Sequence, residues 1–160
     1  MGTRTTRDAI LDAAERLIAR EGVPHLTIGR VAEEAQVSRG GLFYHFPSKE
    51  ALVQSLLERM VVGWQQALEA MMAQDPEPFG RLTRAYARLV LLQAEDATEQ
   101  SSAVVGALIA GLAFDPQLLD PLHQQLRVWQ EQSEAELDPA VAAVVRLTTH
   151  ALWTNSLLLT

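Results

Sequence analysis

Residues that could do chemistry are concentrated between positions 27 and 49 of the 160-residue chain. They comprise two cations, several hydroxyl groups, an imidazole and two adjacent glycines: Thr27, Ser38, Arg39, Gly40, Gly41, Tyr44, His45 and Lys49. A guanidinium group can donate two hydrogen bonds to the edge of a guanine, while lysine and hydroxyl side chains bind phosphate oxygens. Glycines at such a site let the backbone approach its ligand closely. These residue types at this spacing predict contact with nucleic acid.

The elements that must position these residues are predicted to be short helices. Apolar residues recur at helical spacing in the segment before them, which predicts a first helix over residues 6–21. Thr27 is placed to cap a second helix that ends near Gln36, and Ser38 to cap a third over residues 39–45. Two short helices joined by about three residues form a helix-turn-helix.

The third predicted helix has one face for the core and one for a partner. Leu42 and Phe46, at positions i and i+4, form the inward face, and Tyr44 and His45 lie on the outward side. A recognition helix in the major groove presents its N-terminal residues to the bases. Arg39, the first residue after the cap, is therefore the candidate for reading a base.

Residues 26–52 read LTIGRVAEEAQVSRGGLFYHFPSKEAL. Together with the first helix, this segment resembles the DNA-binding domain of the tetracycline-repressor (TetR) family of bacterial regulators. The matching features are the LT-x-x-x-VA opening, the VS cap, the glycine-rich start of the third helix, the YHF ending and the PSKEAL continuation. The resemblance implies that Thr27, Tyr44, His45 and Lys49 contact phosphates or bases of operator DNA.

Three positions depart from the pattern of that family. Phe43 stands where a tyrosine is usual, Gly41 replaces a commoner threonine or alanine, and Gly29 leaves no side chain where some members reach a base. We expect these departures to alter affinity or base preference and to leave the fold unchanged.

The remainder of the chain is also predicted to be helical. A long fourth helix begins after Ser48 and is broken at residues 75–78, and further helices are expected over residues 79–95, 98–114, 116–137 and from Pro139 to the end. No segment alternates like a strand. The predicted fold is all-α. Residues 1–50 form a three-helix helix-turn-helix DNA-binding domain, and residues 51–160 form an antiparallel helical effector-binding and dimerisation domain.

Charge and composition limit the classes of function. The net charge is −7, yet residues 1–50 hold seven basic and seven acidic groups, so the negative excess lies in the rest of the chain. The chain has no cysteine, and it lacks the motifs of serine hydrolases, phosphate loops, zinc proteases and dinucleotide sites. We therefore expect no enzyme activity, no cofactor and no metal site. No apolar run reaches the length of a membrane span, and a cytoplasmic protein without a membrane partner is expected.

Aromatic and polar residues of the C-terminal part are candidates for an effector pocket. A bundle can pack on Leu and Ala alone, whereas Trp, Tyr and His combine an apolar ring with a polar tip. We expect a small apolar effector to be bound by Met60, Trp64, Tyr86, Phe114, His123, Trp129, His150 and Trp153. Plain core packing is the alternative for most of them. Arg81, Arg84 and Arg88 form a basic stripe, for which pairing with nearby carboxylates is favoured over binding of an acidic effector.

These features together predict a ligand-responsive transcriptional regulator, a repressor that its effector releases from double-stranded operator DNA. We expect a homodimer joined through the last helix, because one three-helix module reads few base pairs and a two-fold operator requires a two-fold protein. The alternative is a helical small-molecule-binding protein whose DNA-binding domain is vestigial. The apolar ending NSLLLT also leads us to expect that C-terminal residues are missing from this sequence.

Overall fold

A computed structural model describes residues 5–95, 117 and 120–158 of the chain. Within these ranges it contains α-helices, a short 3-10 helix over Val23–His25, a 3-10 residue at position 117 and no strand, which confirms the all-α prediction. The predicted helix over residues 98–114 lies outside the described residues. The α-helices are α1 (Thr6–Glu21), α2 (Ile28–Glu34), α3 (Arg39–His45), α4 (Lys49–Gln74), α5 (Arg81–Glu95), α6 (Asp120–Glu136) and α7 (Pro139–Leu158).

Helix α1 begins and ends at the residues that the sequence predicts. The Thr5 hydroxyl accepts a hydrogen bond from the Asp8 amide, and the Asp8 carboxylate accepts one from the Thr5 amide, so the two residues form a capping box. The helix ends at Gly22, whose φ of 80° is a conformation that glycine adopts without strain. Its inner face is fully buried and consists of Ile10, Leu11, Ala13, Ala14, Leu17 and Ile18.

Helices α2 and α3 form the predicted helix-turn-helix. The Ser38 hydroxyl caps α3, and the buried residues of the pair include Val31, Ala32 and Leu42. Helix α2 ends at Glu34, two residues before the predicted end at Gln36. The reason is the backbone of Gln36, which has a positive φ of 57° and cannot continue a right-handed helix.

Helix α4 begins after Ser48, whose hydroxyl accepts a hydrogen bond from the Ala51 amide, and it ends at Gln74, directly before the predicted break. Helix α5 begins at Arg81 and not at Phe79, because Gly80 has a φ of 68° and Phe79 therefore stays in the preceding turn with an exposed ring.

The described residues divide into two compact units, each with its own core. The first consists of residues 5–59, and the second contains residues 60–95 and 120–158. In the second unit α5 packs against α6 and α7, and α6 packs against α7. Its core consists of Leu68, Ala85, Tyr86, Leu89 and Trp129. None of the described helices is long and apolar enough to cross a membrane.

Candidate nucleic-acid interface and ligand cleft

Helix α3 presents polar and aromatic groups on one face and anchors itself with the other. Leu42 and Phe46 are fully buried, as their i, i+4 spacing predicts. Tyr44 is 87% exposed, and Phe43 on the same helix is half exposed. The half-buried His45 ring stands edge-on to the Tyr44 ring, with 5.2 Å between centroids. The buried face holds the helix in place while the phenol group faces solvent and is free to bind a partner.

Arg39 is exposed at the N-terminus of α3, and its side chain lies against α2. A Cβ atom added to Gly29 would lie 3.2 Å from Arg39 Nη2 and 3.5 Å from Cζ. The bare backbone at position 29 therefore provides the space that the guanidinium group occupies. Gly29 departs from the family pattern because it has no side chain. The absence of that side chain leaves room for the guanidinium group of Arg39, the candidate base reader.

The two capping hydroxyls retain a hydrogen-bond donor. Thr27 Oγ1 accepts from the Arg30 amide at 3.4 Å, and Ser38 Oγ accepts from the Gly41 amide at 3.0 Å. Each cap uses an oxygen lone pair, so the hydroxyl hydrogen can still be donated to an acceptor such as a phosphate oxygen. Capping and anchoring are therefore compatible roles for the same side chain.

Most arginines of the first unit are neutralised by carboxylates. Arg16 and Arg20 each lie 2.9 Å from Glu34, and Arg30 pairs with Glu21. Hydrogen bonds from Arg20 and Arg16 lower the pKa of Glu34 to about 2. Arg59 lies 2.6 Å from both Asp12 and Glu15. These ion pairs match four arginines of the first unit with four carboxylates.

Three cations of the first unit have no carboxylate partner among the described residues. Arg39 lies over Gly29, and Lys49 Nζ donates to the Val23 carbonyl at 3.3 Å. The Arg7 guanidinium lies 5.2 Å from the centre of the Phe46 ring. The positive charge that remains after pairing is thus carried by residues on or beside α3, although the whole chain is acidic.

The second unit contains a cleft between α5, α6 and α7. It has about 360 Å³ of empty space, its open mouth included, of which about 20 Å³ is wide enough for water. The lining residues combine aliphatic, aromatic and polar groups, and they are Thr83, Tyr86, Leu126, Trp129, Gln130, Ser133, Ala142, Val145 and Arg146. Its lining, mostly apolar with a few polar groups, has the composition of small-molecule sites, although the enclosed space holds little more than a water molecule.

Two residues predicted for the effector pocket, Tyr86 and Trp129, line this cleft, and a third, His150, contacts Tyr86. The Tyr86 hydroxyl and His150 Nε2 form a hydrogen bond, and the Tyr86 and Trp129 ring centroids are 6.1 Å apart. Burial raises the pKa of Tyr86 to about 12, and burial followed by the nearby Arg146 charge lowers the pKa of His150. Both side chains are thereby favoured in their neutral forms at neutral pH.

The other predicted effector residues lie elsewhere or outside the described residues. Trp64 packs against the core of the second unit, Met60 is half-buried, and neither lines the cleft. His123 is exposed. Phe114 and the side chain of Trp153 lie outside the described residues. No group of three His, Asp or Glu side chains suited to a metal ion occurs in the part of the chain that the structure describes.

Sequence reasoning missed Thr83 and Arg146, which both line the cleft. Thr83 lies three residues before Tyr86 and therefore on the same face of α5. Arg146 is the single Asp, Glu, Lys or Arg residue of α7, and that isolation was a usable signal. In the basic stripe, Arg84 pairs with Asp75 at 2.9 Å, which confirms the favoured interpretation at that position.

Comparison with protein families assigns both parts of the chain. The family described as "Bacterial regulatory proteins, tetR family" matches residues 10–56. The "Tetracyclin repressor-like, C-terminal domain" matches residues 80–159, which is half of the chain. The chain therefore belongs to the tetR family of bacterial regulatory proteins, and the resemblance inferred from the sequence is confirmed.

Individual relatives agree with this assignment. The HTH-type transcriptional regulator TtgR of Pseudomonas putida is 44% identical over 55 residues, which are 34% of this chain and 26% of that protein. The HTH-type transcriptional regulator RutR of Escherichia coli is 31% identical over 129 residues, which are 81% of this chain and 58% of that protein. The chain thus spans less than two thirds of the length of these two relatives.

A solved structure with a bound small molecule has the same fold. The crystal structure of the multidrug binding protein EbrR complexed with malachite green matches this chain with a TM-score of 0.71 at 25% identity. The match covers 95% of this chain and 87% of that chain.

Proposed function

We propose that this protein is a ligand-responsive transcriptional repressor that binds a near-palindromic DNA operator. The observation that carries the proposal is the outer face of α3, where Arg39 and Tyr44 are exposed and the guanidinium group has no carboxylate partner among the described residues. A short helix with such an end fits the major groove, where its first residues meet base edges. Membership of the tetR family supports this proposal.

The side chains divide into two roles. Arg39 and Tyr44 discriminate between bases, because both are exposed on α3. Thr27, His45 and Lys49 hold phosphates and fix the register of the helix on the duplex. Ser38 caps the helix, while Gly40 and Gly41 keep its N-terminus free of side chains that would hold the backbone away from DNA.

The second unit is proposed to bind the effector and to join two protomers. Helix α7 exposes a row of large apolar side chains, Val141, Val144, Leu147 and Leu152. An apolar row of this kind on a helix surface is suited to pairing with a second copy of itself. The effector binds in the cleft beside Tyr86 and Trp129. In this proposal residues 1–50 bind DNA, and residues 51–160 bind the effector and a second protomer.

Two substitutions test the assignment of DNA contacts. A cognate duplex is first selected from a random library, and binding is then titrated against salt. Lys49→Ala should weaken binding to all sequences alike and reduce the salt slope by about one unit, because one phosphate contact is lost. Arg39→Ala should instead relax the preference at one base pair, at a cost of about 1–3 kcal/mol.

The matched control is Arg20→Ala, which removes a cation that is already paired with Glu34. Its salt slope should equal that of the unmodified protein. The anchoring role of Lys49 is wrong if Lys49→Ala leaves both affinity and slope unchanged. A protein that selects no sequence from the library, yet binds small molecules in its second unit, would support the alternative of a carrier with a vestigial DNA-binding domain.

A further inference from the structure

Two polar groups in the cleft of the second unit have unused hydrogen-bonding capacity. Thr83 is only 7% exposed, and its Oγ1 atom has no hydrogen-bond partner in the part of the chain that the structure describes. The Nε atom of Arg146 is buried and is equally without a partner there. Both residues line the same cleft. Buried polar groups left without partners are costly, and in folded proteins they are rare enough to need an explanation.

The helix around Thr83 explains why its hydroxyl is not used locally. A buried threonine in a helix usually donates to the carbonyl four residues earlier, and Thr149 does so in this unit by bonding to the Val145 carbonyl. For Thr83 that carbonyl belongs to Phe79, which accepts from Arg84 Nη1 at 2.7 Å. The Thr83 hydroxyl thus makes no hydrogen bond to its own helix, and the residue lines the cleft.

The charge of Arg146 is also uncompensated. No carboxylate among the described residues forms an ion pair with it. The groups that face it are Tyr86 and His150, whose pKa values shift towards the neutral forms. A partly buried guanidinium group without an anion is unfavourable, and a bound anion would supply the missing charge. The cleft thus holds one positive charge, and the polar groups that line it with Arg146 are uncharged.

We propose that the effector is a small aromatic carboxylate, bound with its carboxylate between Arg146 and Thr83 and its ring against Trp129. This inference rests on the proposed effector site in the second unit. Arg146 Nε–H and the Thr83 hydroxyl each donate one hydrogen bond to the carboxylate, which accepts them as a charge-assisted pair. The ring lies in the open mouth of the cleft against Leu126, Ala142 and Val145, because the enclosed part has room only for water. The expected effector is accordingly acidic at one end, and not wholly apolar as the sequence suggested.

Matched acids and amides test this proposal with the full chain. Calorimetric titrations compare benzoate with benzamide, phenylacetate with phenylacetamide and 2-naphthoate with 2-naphthamide, because each amide preserves the shape and removes the charge. In at least one pair the acid should bind at least tenfold more tightly than its amide. Equal binding within all three pairs, or no binding by any acid, would overturn the proposal.

Substitutions locate the binding site. Arg146→Gln removes the charge and should abolish the preference for the acid while leaving the affinity for the amide unchanged. Thr83→Val preserves side-chain shape and should weaken the acid several-fold. Arg127→Gln on the exposed face of α6 is the control and should change neither affinity. If Arg146→Gln keeps the full preference for the acid, the assignment is wrong.

The experiments distinguish a failure of the carboxylate site from a failure of the proposed repressor function. Acid binding is measured without DNA, and selection of a duplex is measured without the acid. A protein that prefers the acid but selects no duplex leaves the carboxylate site standing and refutes the repressor. A protein that selects a duplex but shows no preference for any acid leaves the repressor standing and refutes the carboxylate site.

Discussion

Arg39 shows how one side chain depends on the absence of another. Its guanidinium group lies where a Cβ atom at position 29 would come within 3.2 Å of Nη2. Such a distance is tighter than most Cβ contacts, so a side chain at position 29 requires the guanidinium group to move by a few tenths of an ångström. The position of the proposed base reader is thus set by a residue on the neighbouring helix.

Gly29→Ala is therefore expected to change DNA recognition while the protein stays folded. The added methyl group displaces the Arg39 side chain and should alter the preference at the base pair that Arg39 reads. Selection from a random duplex library before and after the substitution measures this change. Gly63→Ala, whose new Cβ meets nothing within 4 Å, should leave the selected sequence unaltered. An identical selected sequence for Gly29→Ala would show that Arg39 does not read a base from this position.

His150 gives the second unit a pH dependence whose sign follows from its burial. Burial and the Arg146 charge lower the pKa of His150 below the ordinary value of 6.5. The unfolded chain then binds the proton more readily than the folded chain, so this contribution to stability is complete above pH 6.5 and is lost as the pH falls through the folded pKa. NMR titration of the imidazole C–H signals should show His150 with a pKa below 6.5. A measured value above 6.5 would contradict the burial of its ring against Tyr86.

Two glycines at contrasting places in helices give opposite expectations for stability. Gly63 lies inside α4 with open space around it, so Gly63→Ala should stabilise the protein by about 1 kcal/mol. Gly22 ends α1 with a φ of 80°, so Gly22→Ala should destabilise it by about 1 kcal/mol or more. Urea unfolding followed by circular dichroism measures both. A loss of stability in Gly63→Ala would mean that the exposed middle of α4 is covered by a partner.

The helices also show how much of the fold the sequence can predict. Local signals determine the starts of the helices in the first unit, and the capping residues Thr27 and Ser38 are where the pattern places them. The boundaries near Gln36 and Gly80 were misjudged, because the positive φ values of these residues follow from packing and not from residue type alone. The helix predicted from residue 116 begins at Asp120, and residue 117 is in a 3-10 conformation.

Some features of the candidate sites could be predicted from the sequence, and others could not. The exposure of Tyr44 and the burial of Leu42 follow from helical periodicity, and the sequence predicts them. The contact of Arg39 with Gly29 and the shared cleft of Thr83 and Arg146 join residues of different helices. Periodicity within one helix carries no information about such pairs, so they could be found only in the structure.

At the scale of the whole molecule, the apolar row on α7 predicts that two protomers form a dimer through this helix. Val144 is 63% exposed in the single chain, which is unfavourable unless a second protomer covers it. Val144→Glu should therefore shift the protein from dimer to monomer in sedimentation velocity at micromolar concentration. Val62→Glu is the matched control, because Val62 is 51% exposed on α4 and should leave the dimer intact. A folded monomer for the unmodified chain would refute the proposed dimer.

Helix α7 carries both Arg146, which lines the cleft, and Val144, two residues earlier, which belongs to the exposed row. A ligand bound to Arg146 and a second protomer that covers Val144 would both act on helix α7. By thermodynamic linkage, any factor by which the ligand changes the affinity between protomers equals the factor by which dimerisation changes the affinity for the ligand. The dose of effector needed for half occupancy would then depend on the cellular concentration of the protein itself. A cell could adjust its sensitivity to the effector through expression level alone, with no change in the binding site.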